Sequence, residues 1–139
     1  SIADQMKKNN ISGSIIQLSS MYGLVAQDDN LYKNTNISEN MTYGIIKSST
    51  IHFTKQMASH YGKNNIRVNN LVIGGIKGHI KGSKQKQDKN FLKKFNLKVP
   101  LKRMGTSQEI PSSIIFLASP ASSYITGSNI VIDGGYSII

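Results

Sequence analysis

Residues 13–23 read Gly13-Ser14-Ile15-Ile16-Gln17-Leu18-Ser19-Ser20-Met21-Tyr22-Gly23. The run from Ser14 to Leu18 is short, apolar and bounded by Ser12-Gly13 in front and by Ser19-Ser20 and Gly23 behind, which predicts a buried strand that stops at the Ser pair. Working outward, residues 2 to 9 read as the end of a helix. Leu24 to Met41 is polar and dense in Asn and Asp, and predicts a surface excursion. From Thr42 the pattern turns helical, with Ile46, Thr50, Phe53 and Met57 on one side and Gly62 as the stop. Ile66 to Ile73 is a second apolar run, joined to the first through that long helix. Such a connection fits a parallel pair with a right-handed crossover.

Gly74-Gly75 ends the second strand, and the basic stretch Lys77 to Lys98 holds a short helix over Lys89 to Phe95 with Phe91 and Phe95 on one face. Ser107 reads as the cap of a further helix with Glu109 in its first turn and Ile110, Ile114 and Leu117 facing inward. Asn129 to Ile132 is a third short strand before Asp133-Gly134-Gly135. The fold class is therefore α/β: three parallel strands with helices, half of a doubly wound sheet.

Composition narrows the function classes. The chain has 139 residues, enough for one domain or part of one, with 38% hydrophobic and 17% charged residues, inside or near the globular range. Cysteine is absent, and His52, His60 and His79 have no metal-ligand spacing, so no metal site is expected. No apolar stretch approaches the ~20 residues of a membrane span, and a cytoplasmic protein is expected. The net charge of +10 invites nucleic acid, but 15 of the 17 basic residues are Lys rather than Arg. We expect a solvated basic surface and no nucleic-acid partner. Sequons at Asn10, Asn36 and Asn40 carry little meaning without a secretory signal.

Tyr43 and Lys47 stand at i and i+4, one turn apart on one helix face. A Lys cation favours a phenolate: from a reference near 10, an opposite charge within reach lowers an acid's pKa by ~1–3 units, toward the range useful for exchanging protons with an alcohol or ketone. Taken alone, the spacing occurs by chance in a chain with six Tyr and many Lys. What raises it is the strand that ends in Ser19-Ser20, which delivers a hydroxyl to the carboxyl edge of the sheet, where open α/β folds bind ligands.

With these residues in place the sequence resembles the short-chain dehydrogenase/reductase family over nearly its whole length. Gly13 to Gly23 resembles the family's catalytic-Ser strand and Tyr43-Gly44-Ile45-Ile46-Lys47-Ser48 its active-site helix. Asn65-Ile66-Arg67-Val68-Asn69 through Gly74-Gly75-Ile76 resembles the next strand and the loop that meets the nicotinamide. The tail adds Pro100-Leu101-Lys102-Arg103-Met104-Gly105, Glu109-Ile110, Phe116-Leu117-Ala118-Ser119, Tyr124-Ile125-Thr126-Gly127 and Ile132-Asp133-Gly134-Gly135 in the family's order. The resemblance implies NAD or NADP as cofactor, a small-molecule substrate, and a homo-oligomer, dimer or tetramer. It implies that Ser20 polarises a substrate carbonyl, that Tyr43 relays the proton, and that Lys47 holds the cofactor ribose beside it. Gly75 and Ile76 would meet the nicotinamide, Ile76 through its backbone. Ser19 stays open as the functional hydroxyl, although Met21-Tyr22-Gly23 after Ser20 fits the family's pattern.

The chain departs from the family in three places. Ile73 stands where a Pro usually precedes the Gly pair. The Ser20-to-Tyr43 separation is longer than usual, and the extra segment, Gln27 to Asn40, resembles a subgroup associated with surface-polysaccharide and flagellin-sugar biosynthesis. A sugar or activated-sugar substrate follows from that likeness. Residues 1–139 also contain no Gly-rich strand-to-helix turn, no residue reading the ribose 2′ position and no helix-borne Asn ahead of Ser20. The expectation is a partial Rossmann-type catalytic domain whose N-terminal dinucleotide-binding half is absent, from an enzyme of carbonyl/alcohol chemistry. The alternative is a non-catalytic subunit or decayed relative that serves as an oligomerisation module.

Overall fold

The computed structural model describes residues 1–35, 37–78 and 87–139; Asn36, His79 and the middle of the basic stretch lie outside the described residues. In chain order the elements are α1 (Ile2–Lys8), β1 (Gly13–Ser20), α2 (Asp29–Tyr32), α3 (Met41–Tyr61), β2 (Ile66–Ile73), α4 (Lys89–Lys98), α5 (Pro111–Ala118) and β3 (Asn129–Ile132). The three strands form one parallel sheet in the order β1-β2-β3, as the run–helix–run pattern predicts. No described helix is long and apolar enough to cross a membrane.

The central strand is the most deeply buried. Ile66, Val68, Leu71 and Val72 of β2 are fully covered, as are Asn69 and Asn70. A buried amide must find partners, and Asn69 does at both ends: it donates to Ile125 O at 2.8 Å and accepts from Ser128 N at 3.0 Å, which fastens the segment before β3. α1 and α3 cover one face through Ala3, Ala58, Tyr61, Ile66 and Val68. α5 packs against β1 and β2 with Leu117 buried. Arg67 reaches the end of α5 and donates to Leu117 O at 2.9 Å and Ser122 Oγ at 3.0 Å.

Register places the chemistry. Ser20 pairs with Ile73, and Ile73 with Ile132, so the three strands end level at one edge. The turns that follow them, 21–23, 74–77 and 133–135, therefore share that edge. α3 returns antiparallel to β1, which puts its first turns, with Tyr43 and Lys47, beside the same edge.

Several local expectations are corrected. The segment Leu24 to Met41 is not a loose excursion: Leu31, 3% exposed, sits in a core with Met21, Phe95, Val99, Met104 and Tyr136. On α3 the buried positions are Thr54, Ala58 and Tyr61, while Ile46 and Phe53 are exposed. α3 does stop at Gly62, but in right-handed backbone; a short 3-10 turn follows, and Asn65, at φ 57°, makes the left-handed reversal. Thr106, not Ser107, makes the capping box with Glu109 for a 3-10 turn, and α5 begins afterwards at Pro111, where a first turn tolerates it. Ile114 is partly exposed rather than inward.

Candidate active site

β1 ends in two buried serines that have different partners. Ser19 Oγ donates to the backbone oxygen of Lys47 at 2.7 Å, a contact that draws the second turn of α3 onto the strand. Gly23 completes that approach, because a Cβ there would lie 2.8 Å from the Lys47 carbonyl carbon. Ser20, 7% exposed, accepts the Tyr22 N–H at 3.3 Å and caps the 3-10 turn Met21–Gly23. Its own hydroxyl hydrogen remains uncommitted among the described residues.

Asn40 caps α3 by accepting the Tyr43 N–H at 3.2 Å, which fixes the helix start and the phase of everything after it. Lys47 Nζ lies 5.5 Å from the Tyr43 ring centroid and 3.4 Å from Leu18 O. The i, i+4 spacing thus brings the two side chains together as the sequence predicts. Tyr43 is 41% exposed, open to a ligand at the sheet edge.

Beyond β2, backbone holds the loop. Gly105 N–H donates to Gly75 O at 2.9 Å and Lys77 N–H to Gly105 O at 2.8 Å, a parallel bridge between Ile76 and Gly105. Residues in the middle of such a bridge turn their own peptide groups to the other side. Ile76 O accordingly takes the Gln87 amide at 3.2 Å, and the Ile76 N–H meets no acceptor among the described residues. These two backbone bonds restrain the loop that follows Ile73. Gly74 and Gly75 permit close packing, since a Cβ would lie 2.6 Å from Asp133 Cα and 2.4 Å from Phe95 Cζ respectively. A cleft of about 430 Å³ opens here, lined by Gly75, Ile76, Gly105, Asp133 and Gly134 among others. Ser20, Tyr43 and Lys47 lie outside its wall.

The segment 27–40 contacts the turn that follows β1. Tyr32 O–H donates to Tyr22 Oη at 3.2 Å, and Gln27 Nε2 donates to Tyr32 Oη at 2.8 Å. Burial pushes the Tyr22 phenol well above its ordinary value, with the Tyr32 hydrogen bond adding to the shift, so it stays neutral. A pocket of about 310 Å³ is lined by Tyr22, Gln27, Asp29, Glu39 and Met41. The Glu39 carboxyl is raised by its hydrogen bond to, and charge repulsion with, Asp29. α4 grips the segment from outside: Lys98 pairs with Asp28 at 2.8 Å, Lys94 donates to Asn30 O at 2.9 Å and also to Lys33 O, and Tyr32 packs on Phe91. The sequence marked the segment by its extra length but gave no sign of what it touches. Ser19 and Gly23 were likewise not legible as supports of Lys47.

The family model described as enoyl-(acyl carrier protein) reductase matches residues 1–137. D-arabinitol 2-dehydrogenase [ribulose-forming] of Scheffersomyces stipitis is 36% identical over 137 residues, covering 98% of this chain and 46% of that protein. Post-translational flagellin modification protein A of Campylobacter coli is 32% identical over 126 residues, covering 91% of this chain and 46% of that one. A short chain dehydrogenase from Leptospira borgpetersenii, solved with bound NAD+, superposes with a TM-score of 0.86 at 31% identity over 97% of this chain and 48% of its own. The chain spans about half the length of the curated relatives it matches.

Proposed function

Because the chain belongs to the short-chain dehydrogenase/reductase family, we propose that it carries the catalytic residues of an NAD- or NADP-dependent oxidoreductase acting on a carbonyl/alcohol carbon. The observation that carries this reading is the 5.5 Å from the Tyr43 ring centroid to Lys47 Nζ, on a helix packed against the turn that follows Ser20 at the end of β1. In the reductive direction Tyr43 gives its phenolic proton to the substrate oxygen; in the oxidative direction it takes the alcohol proton. Ser20 donates its free hydroxyl hydrogen to the same oxygen, and the Ser19 hydroxyl is already committed to Lys47 O. Lys47 uses one donor on Leu18 O and has others for ribose hydroxyls. A bound nicotinamide would supply or accept the hydride. The Ile76 N–H is a backbone donor suited to its carboxamide oxygen, so the residues present fit the group.

A sugar or polyol is the proposed substrate class. The names of the arabinitol dehydrogenase and the flagellin modification protein support it, as does the polar segment 27–40 beside the Ser20 turn. A homo-oligomer, dimer or tetramer, working in the cytoplasm, belongs to the same reading; exposed Ile45, Ile46 and Phe53 on α3 and Ile115 on α5 give it apolar faces to bury. Tyr43→Phe tests the chemistry. In the complete enzyme it should reduce turnover ~10²–10⁴-fold while cofactor affinity holds, and retention of more than about a tenth of wild-type activity would reject the Tyr43 assignment.

A further inference from the structure

One hydrogen-bonded line runs from the first turn of α3 to Ser20 through the segment 27–40. The Tyr43 N–H donates to Asn40 Oδ1 at 3.2 Å, and the Asn40 N–H donates to Gln27 Oε1, also at 3.2 Å. Gln27 Nε2 donates to Tyr32 Oη at 2.8 Å, Tyr32 O–H to Tyr22 Oη at 3.2 Å, and the Tyr22 N–H to Ser20 Oγ at 3.3 Å. Each donor points toward Ser20. The orientation of the Gln27 amide is forced, because a backbone N–H at Asn40 can be met only by its oxygen.

We propose that Gln27 and Tyr32 are positioning residues that set the distance between the Ser20 hydroxyl and the Tyr43 end of α3. The proposal rests on the functional reading above, in which both groups address one substrate oxygen. Two features support it. Ser19 and Gly23 tie the end of β1 to the Lys47 turn of α3, and the Gln27–Tyr32 line adds a separate tie at the first turn of that helix, where Tyr43 stands. The strut is itself anchored: Tyr32 packs on Phe91 at 5.7 Å between ring centroids, and Tyr22 meets Tyr136 edge-on at 6.2 Å. Such anchoring leaves the line few ways to slacken. A small error of placement costs rate far more than affinity.

Tyr32→Phe keeps the ring and its contact with Phe91 and removes both hydrogen bonds at the phenol; Gln27→Ala removes the two at the amide. Each variant should lose roughly tenfold in kcat, with cofactor Kd and thermal midpoint close to wild type. Because both cut one line, the double variant should be no slower than the slower single, whereas independent effects would multiply. Gln27→Glu, which can still accept from Asn40 N–H, should restore part of the Gln27→Ala loss. Amide hydrogen exchange supplies a readout independent of turnover: in Gln27→Ala the Tyr22 and Tyr43 amides should both exchange faster, while those of β2 do not. Wild-type kcat in Tyr32→Phe, or multiplying losses, would overturn the proposal. If the complete enzyme transfers no hydride, the functional reading fails and exchange alone decides the strut, with unchanged protection at both amides rejecting it.

Discussion

The turns after β1 and β2 leave the same edge of one sheet, yet they are held by different means. The first, Met21–Gly23, is held through side chains: Tyr22 by Tyr32, Tyr32 by Gln27, and the whole segment by the buried Leu31 and the lysines of α4. The second, 74–77, is held through backbone bonds to Gly105 and through glycines that admit Asp133 and Phe95. A turn supported by side chains can be re-tuned one substitution at a time. One supported by backbone is indifferent to most side chains and intolerant of a few.

Leu31→Ala is the strongest way to break the side-chain end. It empties a site among Met21, Phe95 and Tyr136 and should cost ~2–5 kcal/mol in urea unfolding, the range for a Leu truncated in a core. A loss well under ~1 kcal/mol would mean that the segment merely rests on the surface. Gly75→Ala probes the backbone end. Its Cβ would lie 2.4 Å from Phe95 Cζ, and Phe95 is stacked on Tyr136 at 5.2 Å between centroids and cannot withdraw freely. Overpacking of this kind costs typically ~1–3 kcal/mol, and a thermal midpoint equal to wild type would show that α4 gives way instead.

The smallest expected effect concerns the brace on the strip around Gly105. Arg103 donates to both Glu109 oxygens, at 2.9 and 2.7 Å, and Thr106 N–H adds a third bond at 2.8 Å. Led by the Arg103 bond, these hold the Glu109 carboxyl at about 2, below its usual 4.5. A depressed carboxyl stabilises the fold above its ordinary value, and that contribution is lost as pH falls from 4.5 through about 2. Solvent screens this exposed pair, so the effect on the thermal midpoint should be slight. Glu109→Gln should flatten that acid limb; an identical limb in the variant would remove Glu109 as its cause.

The sequence made the strands legible because a central parallel strand, covered on both faces, must be a continuous apolar run, and Ile66 to Ile73 is nearly one. It made Tyr43 and Lys47 legible because helical geometry alone sets an i, i+4 pair. What it hid depends on contacts between distant residues. Leu31 reads as one apolar residue in a polar tract, and only Phe95 and Tyr136, far along the chain, make it core. Exposure of Ile46 and Phe53 was hidden for a related reason: helical spacing shows that a face is apolar, not what lies against it. Ser19 and Ser20 look equivalent on paper, and the strand's pleat separates their partners.

The hold of α4 on residues 28–35 has a consequence for inheritance and for engineering. Asp28 with Lys98, Asn30 and Lys33 with Lys94, Asn34 with Asn90, and Tyr32 with Phe91 are matched across two stretches far apart in the chain. A change in one is felt as a misfit in the other, so the two should diversify as a single cassette. Transplanting 27–40 alone into a relative would carry over half of a fitted pair. Exchanging 88–99 along with 27–40 would carry these paired contacts over together.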